Sequence, residues 1–121
     1  MTDGSLIVES LKVGTHLKDL RIETREIYRF RPRNVGAGQP DVWTVIEFSV
    51  AAARAAEVAE AISEALDQPG WYADLRSADE TFVVFPGRVL RYARGDRAAR
   101  AEARAVGWTF GVPEHQLDWS E

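Results

Sequence analysis

A strand period gives way to a helical period in the middle of the chain, and this change constrains the fold more than any other feature. Residues 42–50, VWTVIEFSV, alternate between two faces as a β-strand does. Residues 51–68 then place apolar side chains at the i, i+3, i+4, i+7 spacing of an amphipathic helix, which Pro69 and Gly70 end. A helix packed on a sheet is therefore predicted.

The segments around this pair predict further strands. Residues 19–31 alternate and predict a half-buried strand, with a bulge or turn at Glu26 and Ile27 where the pattern breaks. Residues 1–15 are polar with a short apolar patch, so we expect an edge strand or a loosely held arm. A meander of three strands follows the first helix, at residues 71–76, 81–85 and 88–92.

A second helix is predicted to begin at Asp96. A carboxylate can accept hydrogen bonds from the free N–H groups of a first helical turn, and Gly95 permits the preceding turn. The tripeptide Arg94-Gly95-Asp96 is thus interpreted as a helix start and not as an adhesion signal. Gly111 and Pro113 end this helix, and the apolar side chains after it predict that the tail docks onto the body.

These elements predict one α+β domain over residues 1–121. We expect an antiparallel sheet of about five strands with both helices packed on one face, ferredoxin-like in outline.

Composition bounds the classes of function. The chain has 121 residues and no cysteine, which excludes disulfides and thiolate chemistry. Its start has neither a basic region nor a long apolar run, so a soluble cytoplasmic protein without a membrane segment is expected. The net charge of −4 disfavours nucleic acid, although IYRFRPR at 27–33 interleaves aromatic residues with arginines as single-strand binders do.

One face of the predicted sheet holds the candidate site. Trp43 and Glu47 fall on the side of their strand opposite Ile46, and Tyr72 and Asp74 can join them from a neighbouring strand. If a helix covers the Ile46 side, this Trp-bearing face needs another cover. The cover can be the arm or tail of the chain, a second subunit or a ligand.

Two arginines extend the ligand alternative. A Trp or Tyr platform with one or two carboxylates and Arg88 or Arg91 can hold a small polar ligand, with Arg91 as an anion anchor and Glu47 or Asp74 as acid or base. Simple burial or dimer packing is the more common fate of such a face. We assign no catalytic residue, metal ligand or cofactor.

Other charged groups are weaker candidates. An acidic stripe on the first helix and a basic stripe on the second can pair with each other, across a dimer or with a partner, or can simply be solvated. These stripes consist of Glu57, Glu60, Glu64 and Asp67, and of Arg97, Arg100 and Arg104. His16 and His115 belong to no metal spacing and are interpreted as surface residues.

Four segments, VWTVIEF (42–48), PGWYADL (69–75), FPGRVLRY (85–92) and GVPEHQLDW (111–119), carry a resemblance that runs through most of the chain. They look like a set of small actinobacterial proteins. The resemblance implies a bacterial cytoplasmic protein and gives no activity and no role to any residue.

Two hypotheses for the function follow. The first is a small non-catalytic binding or protein-interaction module, as a homodimer or with another protein. The alternative is a small-ligand-binding protein or small enzyme that uses the open sheet face. The Trp-bearing face and the charged stripes favour the first hypothesis.

Overall fold

The computed structural model describes residues 1–120, which form one six-stranded antiparallel sheet with two α-helices. The strands are β1 Thr2–Ile7, β2 Glu23–Phe30, β3 Trp43–Val50, β4 Ala73–Arg76, β5 Glu80–Phe85 and β6 Arg88–Ala93. The helices are α1 Ala55–Ala65 and α2 Arg97–Thr109, and short 3-10 turns lie at Val8–Ser10, Ala52–Arg54 and Glu114–Gln116. The order across the sheet is β2-β3-β1-β4-β5-β6. The α+β class and the antiparallel sheet are thus confirmed, with one strand more than the five expected.

β1 lies in the middle of the sheet, so the prediction of an edge strand or a loose arm is wrong. It pairs with β3 on one side and with β4 on the other. Gly4 is opposite Phe48 in β3 and Leu75 in β4. A Cβ at this glycine would lie 2.3 Å from the ring of Phe48, so the ring packs directly on the bare backbone. The ring of Phe48 fills the space that a side chain at position 4 would occupy. The polar, glycine-containing sequence of β1 therefore does not show the pattern expected of a central strand.

The two helices pack on opposite faces, so the prediction that both lie on one face is wrong. α1 shares a buried cluster with Phe82 and Val84 of β5. Ala103 of α2 shares a second cluster with Val83 and Phe85. Successive strand residues point to opposite faces, so β5 separates two cores. The ferredoxin-like outline is not confirmed.

β2 is an exposed edge strand, so the prediction of a half-buried strand is wrong. All eight of its residues are exposed, and 63% of the surface of Ile27 remains accessible. Its register with β3 shifts between Thr24 and Glu26, which confirms a bulge one residue before the predicted break. β2 keeps the expected alternation, but neither helix layer extends far enough to bury it.

The ends of both helices follow from the sequence. The carboxylate of Asp96 accepts a hydrogen bond from the backbone N–H of Ala99 at 3.0 Å, which confirms the predicted start of α2. On α1, Val58, Ala59 and Ile62 are buried as the spacing predicts. In the described part of the chain, no helix is long and apolar enough to cross a membrane.

Candidate functional site

The four residues Trp43, Glu47, Tyr72 and Asp74 share one sheet face, here called the Trp43 face. The register explains the arrangement, since Ser5 of β1 lies opposite Glu47 in β3 and opposite Asp74 in β4. These three side chains form one row across three strands on the face opposite α1. Strand periodicity alone grouped Trp43 with Glu47, whereas Ser5, at the centre of this row, was not among the predicted site residues.

Trp43 is not an open platform, because the chain itself covers it. Only 7% of its surface is accessible. Its Nε1 donates a hydrogen bond to the carbonyl of Pro40 at 2.9 Å. The ring packs on Trp71 at 5.3 Å and on Phe30 at 5.9 Å between centroids. These contacts come from Phe30, Pro40 and Trp71, whereas the N-terminal arm or the tail was predicted as the cover that the chain itself supplies.

The two carboxylates of this face each have a partner. The hydroxyl of Ser5 donates to Glu47 at 2.6 Å from Oε1, and Nη1 of Arg76 donates to Asp74 Oδ2 at 2.7 Å. Burial raises the pKa of Asp74 above its ordinary value, and the negative charges of Glu47 and Asp118 add to this effect against the opposing Arg76. The folded environment of Asp74 therefore favours its protonated form.

Tyr72 anchors the C-terminal tail on the same face. Its hydroxyl donates to the carbonyl of Gln116 at 2.5 Å, and its ring meets Trp119 edge to face at 5.5 Å. Nε1 of Trp119 in turn donates to the hydroxyl of Tyr92 at 2.8 Å. Burial raises the pKa of Tyr72, with the negative Asp74 and Asp118 as further causes. The tail docks as predicted, and the Tyr72 hydroxyl serves that docking.

A small cavity of about 150 Å³ remains between the tail and the sheet. It is lined by Ser5, Ile7, Trp43, Tyr72, Asp74, Gln116 and Asp118. Apolar walls with a few polar groups are typical of ligand sites, although this volume is below the roughly 300 Å³ of common ones. Ser5, Tyr72 and Asp74 already hold hydrogen-bond partners within the chain. The cavity can therefore accept a small group, but none of these three side chains is free to act as a nucleophile.

The two arginines expected at this site lie on opposite faces of β6, so only one of them shares a face with the carboxylates. Arg91 stands over the ring of Phe82 at 4.8 Å, on the α1 side of the sheet. Its Nε and Nη2 donate to Glu80 at 2.7 and 2.8 Å. Arg88 lies opposite Phe85 and therefore on the Trp43 face, but it is exposed on β6, two strands away from β4 and hence roughly 10 Å or more from Asp74. The strand parity of β6 turns Arg91 away from the Trp43 face.

The charged stripes cannot pair with each other within one chain, because α1 and α2 lie on opposite sides of the sheet. Arg104 instead bonds to the carbonyl of Leu117 in the tail. His16 and His115 are exposed, and Nε2 of His115 lies 2.7 Å from the carbonyl oxygen of Asn34. Within residues 1–120, no group of three or more metal-ligating side chains is arranged to hold an ion.

One exposed feature that was not predicted from the sequence is the outer side of β2, here called the β2 edge. Ile27, Tyr28 and Phe30 retain 63%, 39% and 41% of their accessible surface. β2 pairs only with β3, so one side of its backbone has no strand beside it within residues 1–120. The alternation of arginines with apolar residues was interpreted as a half-buried strand and weighed for nucleic acid, but not as an exposed edge strand.

Comparison of the chain with protein-family models, with curated proteins and with solved structures finds no match.

Proposed function

We propose that this protein is a non-catalytic protein-interaction module whose binding element is the β2 edge. One observation carries the proposal: an eight-residue strand at the end of the sheet is exposed along its whole length and bears three large apolar side chains. An edge strand of this kind is a template for pairing with another chain.

The backbone of the β2 edge supports strand addition. The β2 residues Glu26 to Phe30 follow regular register with β3, after the bulge between Thr24 and Glu26. In an antiparallel pair, each strand directs part of its N–H and C=O groups away from its partner. Those outward groups on β2 can accept one more strand, which would extend the sheet by main-chain hydrogen bonds.

The side chains of the β2 edge add an apolar contribution. The ring centroids of Tyr28 and Phe30 lie 5.9 Å apart, and Phe30 packs in turn on the buried ring of Trp43. The exposed aromatic residues are therefore held by the core instead of moving freely. Rigid aromatic anchors lose little conformational entropy on binding, which favours their use at interfaces.

The test is site-specific photo-crosslinking in cells of the source organism. Tyr28 is replaced with p-benzoylphenylalanine, and irradiation should yield a covalent adduct of defined mass with a second protein chain. The same photoreactive residue at Trp108 is the matched control, because Trp108 is 73% exposed on α2, away from β2. The proposal fails if position 28 gives no adduct or if position 108 gives the same adducts equally well.

A second candidate is the small-ligand alternative, which the cavity on the Trp43 face favours. The carboxylates of Asp74 and Glu47 and the ring of Trp43 lie on that face, while Arg91 no longer takes part. Native mass spectrometry of the protein purified from its source would then detect a stoichiometric adduct. Asp74→Asn should remove it, and Glu47→Gln should weaken it, with the fold intact. A bare protein mass would exclude this candidate.

A further inference from the structure

We propose that the occupant of the β2 edge is an extended segment of another protein whose residues follow the order apolar, acidic, apolar, apolar, basic. This inference rests on the proposed function and names the chemistry of its partner. The segment would add to β2 as one further strand, antiparallel like every pair already in the sheet. Parallel pairs are slightly less stable per residue, which favours this direction.

A hydrogen bond of Thr44 shows which backbone groups of β2 point outwards. The N–H of Thr44 donates to Glu9 Oε1 at 2.6 Å, and Glu9 lies in the turn that follows β1. Thr44 therefore directs its backbone towards β1 and away from Arg29, which lies opposite it in β2. Because this orientation alternates along an antiparallel pair, Arg29 and Ile27 direct their N–H and C=O groups to the free side of β2. A further strand can bond to both residues.

The apolar side chains of β2 set three positions of the partner. By register with β3, Tyr28 and Phe30 point to the Trp43 face and Ile27 points to the α1 side. A partner residue opposite Tyr28 forms a non-hydrogen-bonded pair, in which the two side chains approach most closely. All three side chains are well exposed, so apolar partner residues opposite them would bury apolar surface on both sides.

Two charges of β2 set the remaining positions. Glu26 lies directly opposite Glu47, and among residues 1–120 it has no ion-pair partner. Like charges in such a pair are destabilising, and a basic side chain on the free side of Glu26 would offset the repulsion. Arg29 is exposed, and its Nε donates to the neutral hydroxyl of Thr44 at 3.1 Å. The carboxylate of Glu9 bonds to Thr44 as well, so an acidic partner residue can meet the outer Nη groups of Arg29.

The ends of the regular segment fix the frame of the partner. The bulge between Thr24 and Glu26 interrupts β2 at one end, and Pro32, which has no N–H to donate, lies beyond the other. An antiparallel partner, read from its amino end, then pairs with residues 30, 29, 28, 27 and 26 in that order. The segment Val-Asp-Val-Val-Lys has the apolar, acidic and basic residues that these positions select.

Peptide binding to the full chain tests the order of the charges. A labelled synthetic peptide with Val-Asp-Val-Val-Lys at its centre should bind in a fluorescence anisotropy titration. A matched peptide of the same composition, with Val-Lys-Val-Val-Asp at its centre, should have a dissociation constant at least about fivefold higher at low salt. Equal affinities, or no binding of the first peptide at millimolar concentration, overturn the inference.

A charge exchange on β2 is the reciprocal test. The double variant Glu26→Lys/Arg29→Glu keeps the net charge and should bind the second peptide more tightly than the first. Both positions are exposed, so its urea midpoint should stay close to that of the wild type. Arg97→Glu/Glu102→Lys, at exposed positions of α2, is the matched control and should keep the wild-type preference. An unchanged preference in the β2 variant places the peptide elsewhere and overturns the inference.

The photo-crosslinking result separates this inference from the proposed function. An adduct of position 28 with another protein, together with equal affinities for the two peptides, refutes the partner chemistry and leaves the interaction module standing. An adduct of position 28 with a second copy of the chain has the same consequence. Absence of any adduct at position 28, together with no peptide binding, refutes both.

Discussion

Phe30 of β2 meets Trp43 of β3 edge to face, with ring centroids 5.9 Å apart and planes at 81°. The two residues lie directly opposite each other in the strand register. Trp43 is buried while Phe30 is 41% exposed, so the pair joins the interior to the edge of the sheet. A contact of this geometry stabilises both the fold and the orientation of the exposed ring.

Phe30→Ala should therefore destabilise the monomer although Phe30 is 41% exposed. The lost edge-to-face contact is worth about 1 kcal/mol, in addition to the loss of the apolar area that Phe30 buries. Urea unfolding at one fixed protein concentration measures the change. Val35→Ala is the matched control, because Val35 is 39% exposed and should change stability by less than about 0.5 kcal/mol. Equal effects of the two substitutions would contradict the role given to the aromatic pair.

Gly4 is predicted to be irreplaceable in the middle of the sheet. A Cβ there would lie 2.3 Å from Cζ of Phe48, and Phe48 is only 2% exposed, so the ring has no room to move away. Gly4→Ala should cost about 1–3 kcal/mol by overpacking. Thermal or urea unfolding gives the value.

A double-mutant cycle identifies the cause of that cost. Phe48→Leu removes the ring that the new methyl group would strike. The double variant Gly4→Ala/Phe48→Leu should then lose less stability than the sum of the two single variants, by about 0.5 kcal/mol or more. Strict additivity would show that the glycine is needed for another reason.

The sequence predicts most of the local structure, because periodicity is local. The strand at 42–50, both helices and the meander follow from spacing, and strand parity alone groups Trp43 with Glu47. The position of β1 does not follow in this way, because its partners Phe48 and Leu75 are far along the chain. Its glycine and polar residues give no sign of the ring that packs on them.

The errors about faces have a common cause. The segment TFVVF is apolar on both sides, which is typical of a strand buried between two layers, yet two helices were assigned to one side. Carrying parity through the register from Asp74 to Val83 and on to Leu90 places Arg91 on the other face. The sequence alone does not fix the face of Arg91, because the register between these strands depends on turn lengths that the sequence does not give.

The start of α2 gives a prediction about capping. Asp96→Ala removes the acceptor for the N–H of Ala99 and should cost about 1 kcal/mol of unfolding free energy. Asp96→Asn keeps an acceptor at that position and should cost only a few tenths of a kcal/mol. Asp79→Ala is the control, because Asp79 is exposed in a turn and its side chain caps no helix. If Asp96→Ala changes stability no more than Asp79→Ala does, the capping argument is wrong.

The buried carboxyl of Asp74 predicts a specific pH dependence. Burial raises its pKa in the folded protein above the ordinary 3.8, so the folded state binds this proton more tightly than the unfolded chain does. Its contribution to stability is complete below pH 3.8 and is lost as the pH rises towards the raised pKa. Asp74→Asn does not titrate, so its stability relative to wild type should increase over that pH window. Urea unfolding of both proteins at several pH values measures the difference.

Arg76 supplies the second arm of that test. Its guanidinium, 2.7 Å from Asp74, is the main influence that lowers the pKa of the buried carboxyl against the effect of burial. Arg76→Gln should therefore raise the pKa of Asp74 further and extend the window to higher pH. The advantage of Asp74→Asn should then grow in the Arg76→Gln background at neutral pH. If the stability of Asp74→Asn relative to wild type stayed constant or fell as the pH rises, the pKa of Asp74 would not be raised in the folded protein.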